Sequence, residues 1–122
     1  MQVIQGEFGG EITLNYVKSA VESGDLITLS SPGGSLYEGL AIYDYFKGLN
    51  FDTIELTGFV ASAATVAMLG VKNRISTPNA RFLIHNPWNM AMGDGTELQK
   101  QAIELQNEQN TILDIYASAL NI

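Results

Sequence analysis

Two residues of this chain carry the side chains that nucleophilic catalysis by a hydroxyl needs. Ser62 lies in the segment 58–64, and His85, the one histidine of the chain, lies in the segment 82–87. An imidazole that accepts the proton of a hydroxyl makes that hydroxyl a nucleophile, and the two groups need to be near only in space. Each segment ends a predicted strand, so neighbouring strands would bring Ser62 and His85 to one edge of a sheet. The pattern indicates a serine hydrolase.

Each of the two residues also has an ordinary structural interpretation. A serine at the start of a helix is commonly an N-cap, and Ser62 begins a segment of small residues that favours a helix. A histidine at the end of an apolar strand, such as His85, is commonly a hydrogen-bonded structural residue. The G-x-S-x-G pattern of a nucleophile elbow is missing, because Gly58 stands four residues ahead of Ser62. Taken singly, the two residues leave both interpretations open.

Gly33 and Gly34 could supply hydrogen-bond donors to such a site. Glycine pairs are usually turn residues, and Pro32 before this pair favours a tight turn that ends the preceding strand. With no side chain in the way, the N–H of Gly34 could instead point at a substrate carbonyl oxygen, and the N–H of Ala63 could be a second donor. Donors aimed at a developing oxyanion lower the barrier by about 3 kcal/mol each. The segment lacks the pattern of a phosphate-binding loop.

Apolar runs and helical spacings predict an alternating order of strands and helices that would position these residues. Strands are predicted at 2–6, 26–30, 53–57, 74–76 and 81–85, and helices at 14–21, 36–48, 62–69 and 96–120. Such alternation predicts an α/β fold with a mainly parallel sheet and right-handed crossovers. Ligand sites in such sheets lie beyond the carboxyl ends of the strands. Gly58 is expected to open the turn from its strand into the helix of Ser62, and that helix should pack closely because its residues are small.

The segment 96–120 predicts one long helix. At 1.5 Å per residue it would span about 37 Å, more than a small domain needs for its own core. Its apolar residues repeat at a heptad-like spacing that Gln109 interrupts. Such a stripe could cover one sheet, or it could join subunits of an oligomer.

Composition limits the partners. A net charge of −7 argues against nucleic acid, and the lack of cysteine excludes disulfides and thiolate metal sites. No apolar run reaches the roughly 20 residues of a transmembrane helix, and the start of the chain lacks the features of a secretory signal. We therefore expect one domain over residues 1–122, located in the cytoplasm, with no membrane, metal or cofactor.

Four groups of residues follow one another along the chain: 31–35 with 38–44, then 58–64, then 78–80, then 84–88. In this order they resemble the motifs of the Clp protease proteolytic subunit (ClpP), most closely the ClpP-like head maturation proteases of phages and prophages. The resemblance runs from about residue 5 to the C-terminus. It implies the ClpP/crotonase-like fold of repeated βα units, with 96–120 as a handle helix through which rings of subunits pair.

The resemblance also implies roles for particular residues. Ser62 would be the nucleophile and His85 the base, while the backbone N–H groups of Gly34 and Ala63 would form the oxyanion hole. The implied activity is that of a serine endopeptidase on unfolded polypeptides or phage head proteins. The implied partners are further copies of the chain, and an ATP-driven unfoldase or phage head proteins.

The sequence departs from the family pattern in three places. Ser30 stands where the family often has asparagine, and Ala63 replaces a common methionine. The triad acid of the family lies beyond the handle helix, whereas this chain stops at Ile122 and its late acids, Asp94 and Asp114, do not match that place. We therefore expect a chain that lacks the C-terminal part of the fold and has weak activity or none, since the acid can be worth about 10⁴-fold in kcat. Two alternatives stay open: a non-catalytic ClpP-like ring or assembly subunit, and a crotonase-like acyl-CoA enzyme.

Overall fold

The computed structural model describes residues 2–21, 26–49, 53–84 and 92–120. The chain divides into two compact units, residues 1–84 and residues 85–122. The expectation of one domain over the whole chain stays a prediction.

The first unit alternates strands and helices in the predicted order. Its strands are β1 (Gln2–Gln5), β2 (Ile27–Ser31), β3 (Thr53–Ala61), β4 (Asn73–Ser76) and β5 (Arg81–Leu83), and its helices are α1 (Leu14–Ala20), α2 (Leu36–Gly48) and α3 (Ala63–Met68). The described strands pair in parallel in the order β1-β2-β3-β4, and β5 also pairs with β3. The predicted α/β class and the mainly parallel sheet are confirmed.

Helices α1 and α2 begin at side-chain caps and are tied together there. The hydroxyl of Thr13 accepts the N–H of Tyr16 at 3.1 Å, and the hydroxyl of Ser35 accepts the N–H of Glu38 at 3.3 Å. The carboxylate of Glu38 in turn accepts the N–H of Leu14 at 2.8 Å. One side chain of α2 thus satisfies a backbone donor in the first turn of α1, which the helix itself cannot pair.

The core lies between the sheet and the helices of the first unit. Its largest fully buried side chains are aromatic and β-branched or leucine residues: Phe8, Phe46, Ile4, Ile12, Ile27, Leu29, Ile42, Ile54, Val17, Val21, Val60 and Val66. Helices α2 and α3 approach each other closely, since a Cβ atom on Gly39 would lie 2.9 Å from the carbonyl oxygen of Ala63. The prediction that the small residues of α3 allow close packing is confirmed.

Strand β3 is longer than predicted and changes its neighbour halfway. Residues 53–56 pair with β4, and residues 59–61 pair with β5. Between these stretches the register with β2 shifts, so that Ser30 alone faces residues 57–59, and Gly58 adopts a φ of 63°. The prediction that Gly58 opens the turn into α3 is wrong, because the irregularity at Gly58 bends the strand toward a new neighbour and does not end it.

The second unit contains the helix α4 (Gly95–Leu120). Its start is capped by Asp94, whose carboxylate accepts the N–H of Glu97 at 2.9 Å. The long helix predicted at 96–120 is confirmed, and its role in joining subunits stays a prediction. No helix among the described residues combines the length and the hydropathy needed to cross a lipid bilayer.

Candidate active site

The glycine pair and the serine identified from the sequence lie side by side in the first unit. Strand β2 ends at Ser31, and the neighbouring strand β3 ends at Ala61. A Cβ atom on Gly33 would lie 2.7 Å from the carbonyl oxygen of Ala61 and 2.7 Å from Cβ of Ser62. The two segments are therefore in contact at the carboxyl ends of parallel strands, where sites in α/β sheets lie.

Ser62 has a strained backbone. Its φ of 56° and ψ of −120° make it the one residue other than glycine with a positive φ among those described. Such conformations cost roughly 1–3 kcal/mol and persist where the surroundings impose them, often at functional sites. The chain turns here from β3 into α3 within a single residue. A tight strand-to-helix turn of this kind presents the nucleophile in α/β-hydrolases, although the G-x-S-x-G pattern is missing here.

The hydroxyl of Ser62 does not cap α3. Ser62 occupies the N-cap position, but its side chain makes no capping hydrogen bond. Its carbonyl oxygen instead accepts two bonds from Thr65, from the N–H at 2.9 Å and from the hydroxyl at 2.6 Å. Because the hydroxyl of Ser62 makes no capping bond, the interpretation of Ser62 as an ordinary capping serine is wrong.

Strand β5 holds the other side of Ser62. The N–H of Ser62 donates to the carbonyl oxygen of Leu83 at 2.9 Å, and Ala61 is in register with Leu83. Leu83 is two residues ahead of His85 in the sequence. His85 itself lies outside the described residues, so its pairing with Ser62 stays a prediction.

The segment 33–35 runs past Phe8 as an extended chain. The N–H of Phe8 donates to the carbonyl oxygen of Gly33 at 2.7 Å, and the N–H of Ser35 donates to the carbonyl oxygen of Phe8 at 2.7 Å. Gly33 and Gly34 have φ values of 103° and 128°, which favour glycine. Residues 31–34 end the strand as predicted, but they continue as this extended connection and form no tight turn.

The groups of the described site are uncharged. They are the hydroxyl of Ser62 and the backbone N–H groups of Gly34 and Ala63, and no described residue accepts a hydrogen bond from the N–H of Gly34. Ala63 is the first residue of α3, where a backbone N–H has no partner within the helix. In the described part of the chain, no three acidic, histidine or cysteine side chains converge as metal ligands would. A hydroxyl near backbone donors that have no acceptor among the described residues suits acyl transfer.

Sequence reasoning missed three residues that shape this site. Thr65 fixes the turn at Ser62, and the buried hydroxyl of Ser31 accepts the N–H of Gly33 at 3.0 Å. Both are close in sequence to the residues they hold, so short-range side-chain bonding could have indicated them. Phe8 gave no such signal, because its partners are distant in sequence.

The Clp protease family model matches residues 13–121. The chain belongs to the Clp protease family. It is 35% identical over 108 residues to the ATP-dependent Clp protease proteolytic subunit of Bacteroides fragilis, which covers 85% of this chain and 52% of that protein. It is also 35% identical over 109 residues to the subunit of the same name from Porphyromonas gingivalis, covering 86% and 49%. The chain thus spans about half the length of the curated Clp protease relatives it matches.

A solved Clp protease structure supports the same assignment. A ClpP1 mutant from Listeria monocytogenes superposes with a TM-score of 0.78 at 27% sequence identity, covering 97% of this chain and 70% of that chain. The ClpP-like fold and the family resemblance inferred from the motifs are confirmed. The closer likeness to phage and prophage Clp proteases stays a prediction.

Proposed function

We propose that the whole protein is a serine endopeptidase that hydrolyses peptide bonds of unfolded polypeptides. The observation that carries this proposal is the strained backbone of Ser62, whose hydroxyl does not cap α3 and which lies against Gly33. Two relatives named as proteolytic subunits of an ATP-dependent protease give it further support. The crotonase-like alternative loses its basis, because the chain belongs to the Clp protease family.

In the proposed reaction, Ser62 is the nucleophile and His85 is the base. The hydroxyl oxygen of Ser62 bonds to the carbonyl carbon of the substrate, its proton passes to His85, and the π electron pair moves onto the carbonyl oxygen. Collapse of this intermediate breaks the C–N bond, and the leaving amine takes the proton from His85. Water then hydrolyses the acyl-enzyme by the same two proton transfers.

The negative oxygen of that intermediate would be bound by the N–H groups of Gly34 and Ala63. Removal of one such donor costs about 10²–10³-fold in kcat in a serine protease. An extended substrate would run beside the Gly33–Gly34 segment and add a strand to this edge. No residue of 1–122 is assigned as the triad acid.

The remaining features belong to the same proposal. Further copies of the chain would assemble into rings that pair through the helix 96–120, and an ATP-driven unfoldase or phage head proteins would be its other partners. A cytoplasmic location, in a bacterial cell or in a phage-infected host, is part of this prediction.

A fluorophosphonate probe tests the nucleophile. It should bond covalently to Ser62 of the full-length protein, releasing fluoride, and the modified peptide is identified by mass spectrometry. Ser62→Ala should abolish the labelling. Ser19→Ala is the matched control, because Ser19 is an exposed serine of α1 whose hydroxyl bonds the carbonyl oxygen of Tyr16. This control should label as the unmodified protein does.

Two results would contradict the proposal. A full-length protein that is folded by circular dichroism, yet is labelled at no serine and cleaves no unfolded protein, would favour the non-catalytic ring or assembly subunit. Labelling that persists in the Ser62→Ala variant would place the nucleophile elsewhere.

A further inference from the structure

The orientation of the Gly34 N–H follows from two hydrogen bonds of Phe8. In a trans peptide group the C=O and the N–H point in opposite directions. The carbonyl oxygen of Gly33 points at the N–H of Phe8, over 2.7 Å. The N–H of Gly34, which belongs to the same peptide group, therefore points directly away from Phe8.

The second bond fixes the next peptide group in the same sense. The N–H of Ser35 points at the carbonyl oxygen of Phe8, over 2.7 Å. The carbonyl group of Gly34, in the plane of that N–H, also points away from Phe8. Both hydrogen-bonding groups of Gly34 are thus directed to the edge of the segment opposite Phe8.

Phe8 is itself firmly placed. Its side chain is 1% exposed and belongs to the core cluster of the first unit. The loop that carries it is closed by backbone bonds from the N–H of Gly9 to the carbonyl oxygen of Ile12 at 2.8 Å and from the N–H of Ile12 to that of Glu7 at 3.0 Å. The direction of the Gly34 N–H is therefore fixed relative to the core through Phe8.

The approach of Phe8 is also close. A Cβ atom on Gly34 would overlap the carbonyl oxygen of Phe8 and would lie 3.0 Å from its nitrogen. A Cβ atom on Gly33 would overlap the turn of Ser62 on another side of the segment. The two glycines thus fit between Phe8 and Ser62, and movement of Phe8 would move the donor relative to the nucleophile.

We propose that Phe8 is a positioning residue, whose backbone bonds to Gly33 and Ser35 aim the Gly34 N–H at the oxygen of the tetrahedral intermediate. This inference rests on the proposed function, because it requires an acyl transfer at Ser62. Phe8 touches no substrate and acts through Gly34. A misdirected donor stabilises the transition state less and leaves the binding of the substrate largely unchanged.

A backbone ester separates this role from packing. Phe8 of the full-length protein is replaced by phenyllactic acid, which keeps the side chain but exchanges the N–H for an oxygen that repels the Gly33 carbonyl group. The matched control replaces Gly10 by glycolic acid, which removes the bond from the N–H of Gly10 to the carbonyl oxygen of Glu7 in the same loop and leaves both bonds of Phe8 in place. We expect kcat for peptide hydrolysis to fall about tenfold in the Phe8 ester with little change in KM, and to change less than about twofold in the Gly10 ester.

The acyl-enzyme gives a second readout that packing alone would not move. A β-lactone forms an ester with Ser62, and hydrogen bonds to the carbonyl oxygen of that ester lower its infrared stretching frequency. The frequency should rise in the Phe8 ester and stay constant in the Gly10 ester. Equal kcat values and equal frequencies in the two esters would overturn the role of Phe8. Absence of the acyl-enzyme in the unmodified protein would instead contradict the proposed function, and this inference with it.

A side-chain pair offers a test that needs no semisynthesis. Phe8→Leu and Phe46→Leu make the same change at two core positions, 1% and 2% exposed. Both should lower the stability of the fold to a similar extent, but only Phe8→Leu should lower kcat and raise the carbonyl frequency. Equal loss of kcat at equal loss of stability would show a packing role alone.

Discussion

Ser35 and Ser62 both stand before a helix that follows a parallel strand, Ser35 between β2 and α2 and Ser62 between β3 and α3. Ser35 has a φ of −59°, and its hydroxyl accepts the N–H of Glu38. Ser62 has a φ of 56°, and its hydroxyl does not cap the helix. A serine at the same kind of junction thus caps the helix in one case and does not cap it in the other.

The difference arises from the length of the connection. Residues 32–35 lead from β2 to α2, so that Ser35 can adopt an ordinary conformation and cap its helix. Ser62 alone leads from β3 to α3, so it makes the whole turn, and the bonds of Thr65 to its carbonyl oxygen stabilise that turn. In a one-residue junction the serine hydroxyl therefore does not cap the helix, and it is available for another role.

The largest expected effect separates the two serines by activity and stability. Ser62→Ala should lower kcat of the full-length protein by about 10⁴-fold or more, as removal of a serine nucleophile does. Its free energy of unfolding should hardly change, because the hydroxyl caps nothing. Ser35→Ala should lower the free energy of unfolding by about 1 kcal/mol through loss of the cap. Peptide hydrolysis and denaturant unfolding measure the two effects, and a larger loss of stability in Ser62→Ala would break the comparison.

The contact between the two junctions is tested at Gly33. Gly33→Ala should lower the free energy of unfolding by about 3 kcal/mol and abolish most activity, because Cβ would lie 2.7 Å from Ala61 and Ser62 at a φ of 103°. Gly48→Ala is the control, since a Cβ atom there has no neighbour within 4 Å. This control should be neutral or about 0.5 kcal/mol more stable. Equal unfolding curves for both variants would contradict the contact.

The packing of α2 on α3 should show a smaller effect. In Gly39→Ala the added Cβ would lie 2.9 Å from the carbonyl oxygen of Ala63. The overlap costs about 2.5 kcal/mol and the better helix propensity offsets about 1 kcal/mol, so a net loss of about 1.5 kcal/mol is expected in denaturant unfolding. An unchanged denaturation midpoint would contradict the close packing of α2 on α3.

The smallest expected effect measures the strain of the one-residue junction. Ser62→Gly should be more stable than Ser62→Ala by about 1 kcal/mol, because glycine adopts a positive φ without a steric penalty. Ser35→Gly should differ from the wild type by only a few tenths of a kcal/mol, about as expected for a glycine cap. If Ser62→Gly were the less stable of the Ser62 pair, the strain would be absent.

Much of the fold could be predicted from short-range patterns. Apolar runs predicted the strands, helical spacing predicted α2 and α4, and ordered motifs indicated the Clp protease family, which the family match confirmed. The prediction that Gly58 opens the turn into α3 was wrong, because the conformation of Gly58 depends on β5, a strand that comes later in the chain. A local reading cannot distinguish a glycine that ends a strand from one that bends it.

The candidate site could be predicted from the sequence to a similar extent. The contact of Gly33 with Ser62 follows from parallel strands that end together, and the sequence indicated both residues. The strain at Ser62 did not follow, because it depends on how many residues separate β3 from α3. The hydrogen bonds of Phe8 could not be predicted from the sequence, because bonds between distant backbone groups do not depend on residue type.

The change of neighbour along β3 has a consequence for how tolerant the fold should be. Residues 53–56 take their alignment from β4, while the three residues before Ser62 take theirs from β5. Slippage or mutation in Asn73–Ser76 would thus be absorbed at the kink of Gly58 before it reached the serine. Substitutions in β4 are therefore expected to leave the backbone of Ser62 in place, more so than substitutions in β5.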